Sequence, residues 1–358
     1  MLAISNTFWL WMFATGLLAC LVTWLSLLYA RRTNLVDMPG QRRSHNVPTP
    51  RGGGIGIVVA ILAGLASAGI LFPGTHWPLL LMIAVAMVAL IGWIDDHQPV
   101  PAWGRLLVHF LAAGIWLTPL IAAIFFRQTV MDIGLAQAIG LLVVLVFVCV
   151  WSINLHNFMD GIDGLLAMQA IFVLSAVAVL CLRGPEQNHS FQIALWIAAI
   201  IGFLPFNFPR PRLFMGDVGS GAIGLLIAVA AIWQLSNPNT AAASGLVAAS
   251  AFIIDASCTL VSRMLRGRAW YRPHREHLYQ WMVRSGQSHV RVVVWYMTWN
   301  VVVVIPALYL MNRDIHAHSQ ARGWIIAGIV YALALSAWVF GKARCLRRIE
   351  SETTHAAA

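Results

Sequence analysis

The chain has 358 residues, of which 60% are hydrophobic and only 10% are charged. Soluble domains typically carry about 45–50% apolar and about 25% charged residues, so this composition excludes an ordinary soluble domain and indicates a membrane protein. The net charge of +10 favours anionic lipids and anionic substrates over nucleic acid, because the basic residues form no tail or compact block.

Eleven apolar runs follow one another along the chain, and they predict an all-α polytopic integral membrane protein with about eleven transmembrane helices. A helix crosses a bilayer with about 20 residues, and runs without polar periodicity favour helices buried in lipid or in a bundle. The runs 79–94, 191–206 and 220–235 are short for a full crossing. The predicted spans are 8–30, 54–72, 79–94, 105–126, 134–153, 165–182, 191–206, 220–235, 241–262, 292–311 and 323–341.

The lysines and arginines are distributed unequally between the two sides of these spans. Nineteen of the 23 lie on one side, in its loops, at neighbouring span ends or in the C-terminal tail. The positive-inside rule makes that side cytoplasmic, with a periplasmic N-terminus and a cytoplasmic C-terminus. The polar clusters fall on the same side, so residues 1–358 are predicted to form one transmembrane catalytic domain. Its active site is assigned to loops 31–52, 95–104, 154–164, 207–219 and 263–291.

Polar residues recur every third position between the predicted spans 134–153 and 165–182. They are Asn154, Asn157, Asp160 and Asp163, with Asp160 and Asp163 each followed by glycine. On a helical turn this spacing places neighbouring members on roughly one side. Carboxylates and carboxamides at a membrane edge are costly unless they bind something, which favours a functional site. The structural alternative is a plain turn, since Asp and Gly are common turn residues.

Two adjacent carboxylates, Asp95 and Asp96, close the third predicted span. Such a pair commonly holds a divalent cation or supplies a base, whereas a single one would often be a solvated helix end. Arg105 opens the next span and could reach an anionic headgroup, or could simply snorkel to the interface. A third acidic position, Asp217, lies among glycines before the span 220–235, where the backbone could fold around a metal-diphosphate.

Two cytoplasmic loops carry basic and titratable side chains. The first reads Arg43-Ser44-His45-Asn46 and ends in three glycines that open a helix, which suits an anion but also fits a plain interhelical loop. In the second, His274, Arg275 and His277 favour phosphate contacts over a zinc pair, because the loop offers no cysteine. Asp255 and His109, which lie inside apolar runs, are interpreted as structural groups.

These motifs together resemble a known family, the polyprenyl-phosphate N-acetylhexosamine-1-phosphate transferases of glycosyltransferase family 4. The match runs in order over residues 43–280. The motifs are R-S-H-x-x-P-T-P-R-G-G-G, D-D, N-x-x-N-x-x-D-G-x-D-G-L, F-M-G-D-x-G-S and H-R-E-H-L-Y-Q. The last motif is similar to the branch that initiates O-antigen synthesis, and departs from the more histidine-rich loop of the phospho-MurNAc-pentapeptide translocase.

The resemblance implies roles for the acidic residues. Asp217 and Asn157 would coordinate Mg²⁺, with Mn²⁺ as the alternative, at the diphosphate of the donor. Asp95 or Asp96 would orient or deprotonate the lipid phosphate, and which of the two does so is left open. Both reactants are anions, so neutralising their charge is the main catalytic requirement.

The resemblance also implies a set of substrate-binding residues. Arg105 takes the place of a family lysine, which keeps the charge and changes the geometry of the contact. The implied substrate-binding residues are Arg105, Asn154, Asp160, Asp163, His45, His274, Arg275 and His277.

The implied activity is transfer of an N-acetylhexosamine 1-phosphate from a UDP-sugar to undecaprenyl phosphate, which releases UMP and initiates O-antigen or another cell-surface polysaccharide. The implied location is the bacterial inner membrane, in contact with membrane lipid; a homodimer is left open. A peptidoglycan or teichoic acid precursor transferase of the same family is the alternative. An anionic-solute transporter fits less well, because mid-span ionisable groups and internal repeats are not evident. A CDP-dependent lipid phosphotransferase would need a D-G-x-x-A-R pattern that Asp160–Gly164 does not provide.

Overall fold

A computed structural model describes residues 6–38, 47–71, 77–124, 134–184, 187–269, 274–313 and 319–357. These residues are mostly helical. The helices are α1 (Asn6–Arg32), α2 (Gly54–Leu71), α3 (Trp77–His97), α4 (Ala102–Trp116), α5 (Thr118–Ala122), α6 (Leu135–Phe158), α7 (Leu165–Cys181), α8 (Gln187–Asn207), α9 (Asp217–Leu235), α10 (Ser244–Ala248), α11 (Ser250–Leu265), α12 (Leu278–Arg284), α13 (His289–Trp299), α14 (Ile305–Asn312) and α15 (Ser319–Ala357). A π-helix (Asn300–Val304) joins α13 to α14, and the two short strands are β1 (Val36–Asp37) and β2 (Thr49–Pro50).

Seven helical stretches in the described residues are long and apolar enough to cross a membrane, which confirms the prediction of a helical polytopic membrane protein. They are Asn6–Arg32, Pro78–His97, Leu135–Phe158, Asn188–Asn207, Asp217–Leu235, His289–Asn312 and Gln320–Glu352. Shorter apolar helices occupy Gly54–Ser67, Ala102–Trp116 and Leu165–Cys181. The three runs that looked short from sequence all lie inside the seven long stretches, because the helices extend beyond the apolar runs into polar residues.

Three predicted spans are interrupted. The run 105–126 is divided at Leu117 into α4 and α5. The run 241–262 is divided at Ala249 into α10 and α11, and the run 292–311 contains the π-helix. Pro306 follows that π-helix. Proline has no N–H to donate and crowds the carbonyl four residues earlier, so a locally widened helix before it is physically reasonable. The π-helix also directs Asn300, whose Nδ2 donates to Gln169 Oε1 of α7 at 2.7 Å.

Helix α9 is the centre of the bundle. In its most apolar window 78% of the residues are buried inside the protein, against 28% for α1. Its first turns are built from Gly219, Ser220, Gly221 and Gly224, and such small residues let neighbouring helices approach closely. Helices α2, α3, α6, α7 and α10 all pack against it. The N-terminus of α9, which begins at Asp217, is therefore fixed by the best-packed part of the molecule.

A short β ladder, which the all-α prediction did not foresee, lies beside that N-terminus. Val36 pairs with Pro50 and Asp37 with Thr49, antiparallel. The backbone after β2 is bonded to the segment before α9, because Phe214 N donates to Pro50 O at 2.8 Å and Gly53 N donates to Phe214 O at 2.9 Å. The ladder thus brings the first predicted cytoplasmic loop next to the third acidic motif.

Candidate active site

A polar cavity of about 270 Å³ lies at one end of the bundle, where α6 ends and α9 begins. It collects side chains from segments that are far apart in the sequence. Its lining comprises Asp37, Arg51, Asp96, Asn157, Asp160, Gly161, Ile162, Asp163, Asn207, Phe214, Met215, Gly216, Asp217, Gln280 and His289. Three of the acidic motifs singled out in the sequence therefore meet at one place.

Asp96 fastens the end of α3 to the start of α9. Its carboxylate accepts backbone hydrogen bonds from Asp217 N at 3.1 Å and from Val218 N at 3.2 Å. These amides have no partner inside their own helix, so Asp96 supplies the cap. Gly216 has a φ of +77°, and a Cβ there would collide with the Asp96 carboxylate. The glycine of the F-M-G-D motif is thus required by this contact.

Asp95 turns away from its neighbour and pairs with Arg105. The Nη1 atom of Arg105 donates to Asp95 Oδ2 at 2.6 Å and to Asp217 Oδ2 at 3.0 Å. The other Asp95 oxygen accepts from Val100 N at 2.6 Å. Arg105 therefore does not snorkel away from the site, which was the structural alternative. Its guanidinium lies between two of the predicted functional carboxylates, where it can also meet an anionic substrate.

The Asn and Asp repeat of residues 154–163 is split between two environments. Helix α6 continues to Phe158, so Asn154 and Asn157 lie on its last turns. Asn157 lines the cavity and donates to Ser220 Oγ at 3.1 Å. Asn154 is outside the cavity lining; its Nδ2 lies 3.3 Å from Nδ1 of His109 and donates to Val150 O at 2.7 Å. That contact gives His109 the structural role expected for it.

Asp160 and Asp163 follow α6 in the turn before α7, and both line the cavity. Burial raises the pKa of Asp160 well above its usual range, and the negative charges of Asp217 and other carboxylates of the cavity raise it further. Asp163 has a specific partner, since its Oδ2 lies 2.6 Å from Nδ1 of His289. The cavity therefore concentrates more negative charge than its neighbouring cations neutralise.

The glycines beside these aspartates make room for other side chains. A Cβ on Gly161 would occupy the position of the Tyr279 hydroxyl, and one on Gly164 would collide with the Phe208 ring. The Tyr279 hydroxyl donates to Phe158 O at 3.0 Å, which attaches α12 to the end of α6. Close approach of side chains thus explains the two glycines of D-G-x-D-G.

Several lining residues were not selected from the sequence. They are Asp37, Arg51, Asn207, Gln280 and His289. Arg51 belongs to the R-G-G-G motif, and Gln280 ends H-R-E-H-L-Y-Q, so both are part of the motifs that carry the family resemblance. His289 lies in no motif, and only the fold brings the start of α13 to Asp163.

The histidine loop lies beside the cavity and does not line it. The His277 ring stacks with Phe158 and Tyr279, at centroid distances of 6.1 and 5.8 Å, and its side chain is only 3% exposed. Burial lowers the pKa of His274 to about 4, so its imidazole is neutral near pH 7. The substrate contacts of His274, Arg275 and His277 stay predictions, as does that of His45, which falls outside the described residues.

Asp255 has the structural role expected for it. Its partner is not Arg263, which lies two turns later on the same helix and could have formed an ion pair with it. Arg263 pairs with Glu276 instead. The Asp255 carboxylate accepts hydrogen bonds from groups on three other helices. The donors are Leu278 N at 2.6 Å, Tyr279 N at 3.3 Å, the Tyr296 hydroxyl at 2.6 Å and Trp338 Nε1 at 3.2 Å. It thereby fixes the start of α12 against α11, α13 and α15.

The donor chemistry of the cavity suits a hard divalent cation. Its carboxylate and carboxamide side chains offer oxygen ligands, which Mg²⁺ prefers. In the part of the chain that the structure describes, no group of three His, Cys, Asp or Glu side chains forms a ready metal cage. Magnesium usually keeps several waters and shares substrate phosphates with one or two carboxylates, so the cavity fits that mode of binding.

The fold and the cavity together define a polytopic membrane protein with a carboxylate-rich site at one end of its helices. Comparison with known proteins places it more narrowly. The family model described as glycosyl transferase family 4 matches residues 78–234. Across most of its length the chain is also similar to curated proteins, so it belongs to glycosyl transferase family 4.

Three relatives illustrate the similarity. A decaprenyl-phosphate N-acetylglucosaminephosphotransferase from Mycobacterium tuberculosis is 30% identical, over 89% of this chain and 88% of the relative. A probable undecaprenyl-phosphate N-acetylglucosaminyl 1-phosphate transferase from Bacillus subtilis is 25% identical, over 86% and 83%. A phospho-N-acetylmuramoyl-pentapeptide-transferase from Shouchella clausii is 28% identical, over 73% and 83%.

Proposed function

We propose that this protein transfers an N-acetylhexosamine 1-phosphate from a UDP-sugar to undecaprenyl phosphate. A phosphate oxygen of the lipid attacks the β-phosphorus of the donor. The bond between that phosphorus and the bridging oxygen breaks, UMP leaves, and undecaprenyl-diphosphate-sugar remains. The names of the relatives support the acceptor class and the phosphosugar chemistry.

One observation carries the proposal. Asp96, Asn157, Asp160, Asp163 and Asp217 come from three distant motifs and converge in a single 270 Å³ cavity. Such a concentration of oxygen ligands beside cations is suited to a reaction between two phosphate groups, since both reactants must be held close against their mutual repulsion. The cavity is too polar to serve as part of the core.

Asp217 and Asn157 are the residues we assign to Mg²⁺. Asp217 lies at the start of α9 and Asn157 at the end of α6, and both line the cavity. A cation there would neutralise the donor diphosphate. Asp160 and Asp163 contribute negative charge that attracts this cation, and the pKa of Asp160, raised by burial, indicates that the cavity favours a counter-charge.

Asp96 is assigned to the lipid phosphate, because it lines the cavity whereas Asp95 does not. Asp95 positions Arg105, whose guanidinium bridges to Asp217. Arg105 can then exchange a carboxylate for a substrate phosphate oxygen without moving far. In this assignment Asp96 orients or deprotonates the acceptor, and Arg105 neutralises the negative charge that develops during transfer.

The location proposed is the bacterial inner membrane, with the cavity facing the cytoplasm, the N-terminus periplasmic and the C-terminus cytoplasmic. The asymmetric distribution of lysine and arginine supports this orientation. Single cysteines at positions 46 and 238, in a background without the five native cysteines, should label from opposite sides with an impermeant reagent. Labelling of both from the same side would refute the orientation.

The reaction is tested with purified protein in undecaprenyl-phosphate vesicles and a panel of radiolabelled UDP-N-acetylhexosamines. We expect labelled lipid and an equal amount of UMP from at least one donor, dependent on Mg²⁺. We favour initiation of O-antigen or a related surface polysaccharide. Since a relative carries the phospho-N-acetylmuramoyl-pentapeptide name, the panel includes that wall precursor. Turnover of the pentapeptide donor alone would assign the protein to peptidoglycan synthesis; no transfer from any donor would overturn the proposal.

A further inference from the structure

A second and larger cavity, of about 750 Å³, lies on the other side of α12 from the carboxylate cavity. Its wall is formed by α11, α12, α13, the π-helix and α15, and is largely apolar. Three tryptophans, Trp295, Trp299 and Trp338, are the largest side chains in it. We call it the α15 groove. It opens between helices that are long and apolar enough to cross a membrane.

One end of the α15 groove is basic. Arg291 from the start of α13 and Arg344 and Arg348 from the C-terminal half of α15 line it, and all three are exposed. Arg348 also pairs with Glu352 of the same helix at 3.0 Å, an exposed pair that contributes little and that a phosphate can replace. The start of α13 also carries His289 of the carboxylate cavity, so the arginines lie at the same end of the bundle as that cavity. An apolar slot between spans with a cluster of arginines at its cytoplasmic end matches a lipid with an anionic headgroup.

The α15 groove has no lining residue in common with the carboxylate cavity. A phosphate held by its three arginines is therefore separated by α12 from Asp96 and Asp217. This separation argues against the reacting lipid as its occupant. The bilayer itself supplies phospholipids in large excess, and their anionic members combine acyl chains with a phosphate diester at the depth that the groove presents.

Helix α12 connects the two cavities. Leu278 and Met282 face the groove, while Gln280 lines the carboxylate cavity. Two groups that hold the buried Asp255 in place, the Tyr296 and Trp338 side chains, also form part of the groove wall. A molecule in the groove would thus pack directly against the contacts that fix α12, and hence against the element that presents Gln280.

We infer that the α15 groove binds an anionic phospholipid of the surrounding membrane, with its phosphate at Arg291, Arg344 and Arg348 and its acyl chains along the three tryptophans. The bound lipid holds α12 in the position seen here and so supports binding of the donor in the carboxylate cavity. The effect on the donor rests on the proposed function, but the lipid site itself does not.

Binding is tested by native mass spectrometry of the full-length protein released from detergent, with phosphatidylglycerol and phosphatidylcholine added at equal concentration. We expect phosphatidylglycerol adducts to dominate in the wild type. In the triple variant Arg291→Gln, Arg344→Gln, Arg348→Gln the affinity for phosphatidylglycerol should fall at least about tenfold, since each arginine near an anionic headgroup raises the affinity severalfold. The matched control removes three exposed arginines outside the groove, Arg31→Gln, Arg32→Gln and Arg347→Gln, and should keep the adduct.

A second variant tests the apolar part of the site without changing charge. Ala337 is an exposed residue of α15 that lines the groove, so Ala337→Phe should fill it and displace the lipid. Ala332→Phe, on the same helix outside the groove, is the control. Equal phosphatidylglycerol binding by the wild type and both groove variants would overturn the proposal. The proposal would also be overturned if the triple variant lost undecaprenyl-phosphate binding and kept phosphatidylglycerol binding, because the groove would then hold the acceptor.

The functional effect is measured in nanodiscs of phosphatidylcholine with and without phosphatidylglycerol. We expect phosphatidylglycerol to lower the KM for the UDP-sugar about threefold in the wild type and in both controls, and not in the two groove variants. An equal response of all five proteins would overturn the coupling through α12. If the protein transfers no sugar from any donor, the proposed function fails while the adduct measurements still decide the lipid site.

Discussion

The single carboxylate of Asp255 and the carboxylates of the polar cavity have opposite surroundings within the same helical bundle. Asp255 is surrounded by hydrogen-bond donors, with two backbone amides, a tyrosine hydroxyl and an indole N–H on one side chain. The carboxylate cavity holds Asp96, Asp160, Asp163 and Asp217 within one space, and among the described residues each of these carboxylates accepts fewer hydrogen bonds than Asp255 does. Both sites are polar groups in an apolar bundle, which is costly unless they are satisfied.

The difference separates a structural carboxylate from functional ones. Asp255 needs nothing from outside, because its own fold satisfies it. The cavity carboxylates repel one another, and the raised pKa of Asp160 records that repulsion together with burial. Sites that the fold leaves short of positive charge are suited to bind a cation and the anions that accompany it.

The sharpest test of this comparison is Asp217→Asn. We expect at least about a thousandfold loss in kcat/KM for sugar transfer, because the variant removes the carboxylate that we assign to the cation, and the cation is what would neutralise the diphosphate in the transition state. The melting temperature should be unchanged or higher. Both are measured on purified protein in the same lipid. Wild-type kcat/KM in this variant would remove Asp217 from the mechanism.

The same chemical change at Asp255 should act on the fold. Asp255→Asn replaces an acceptor oxygen by an NH₂ group that faces donors, and we expect a loss of about 3 kcal/mol in stability. Thermal unfolding followed by intrinsic fluorescence should show a melting temperature lower by several degrees. Tyr296→Phe removes one donor alone and should cost about 1 kcal/mol. If Asp255→Asn unfolds like the wild type, the carboxylate is not the structural centre described here.

His289 offers a smaller test within the cavity. His289→Ala removes the contact with Asp163 and should lower kcat/KM about tenfold, since a hydrogen bond to a charged group contributes about 1.5 kcal/mol. His289→Asn retains a side-chain donor and should recover part of that loss. His189→Ala, on α8 and outside the cavity lining, is the control. Equal kinetics for His289→Ala and His189→Ala would show that the pair is incidental.

The smallest expected effect concerns pH and stability. The pKa of Asp160 is raised above its ordinary value of 3.8, so the folded state holds this proton more tightly than the unfolded state. Its contribution to stability is present at low pH and is lost as the pH rises above 3.8 through the folded pKa. Without divalent cations, Asp160→Asn should therefore melt about 2 °C higher than the wild type at pH 8, with little difference at pH 4.

Added Mg²⁺ should reduce the difference in melting temperature between Asp160→Asn and the wild type at pH 8, because the cation stabilises the wild type. A melting temperature of Asp160→Asn below that of the wild type at pH 8 would mean that the ionised carboxylate is satisfied, as Asp255 is. The two aspartate-to-asparagine variants, at positions 160 and 255, thus have opposite expected signs from one chemical change.

Much of this architecture could be predicted because apolar runs and clustered carboxylates are local signals. Within the described residues each predicted span falls mainly on helix, and Asp96, Asp160 and Asp217 could be selected from motifs alone. The break at Ala249 could not, because nothing in that apolar run marks it. The contact between His289 and Asp163 depends on how α13 packs, so no sequence pattern near either residue reports it.

The motif N-x-x-N-x-x-D-G-x-D-G-L contains one predicted site residue, Asn154, that lies outside the site. Asn154 keeps the same spacing as Asn157, but a residue three positions earlier on a helix is rotated and raised by about one turn. In the fold it meets His109 of α4 and lies outside the cavity lining. Spacing alone could not decide between the two environments, since both partners are supplied by other helices.

The close contact between Gly161 and Tyr279 makes the residue that is tolerated at one of these positions depend on the residue at the other. The tyrosine hydroxyl occupies the space that any larger residue at 161 would need. The ring atoms Cζ and Cε2 of Tyr279 would also lie 2.9 and 3.1 Å from a Cβ at 161, so removing the hydroxyl alone would not make enough room. An enlargement at 161 therefore requires a smaller side chain at 279 than phenylalanine, such as leucine. In a suppressor screen begun from Gly161→Ala, position 279 is where second-site revertants should accumulate.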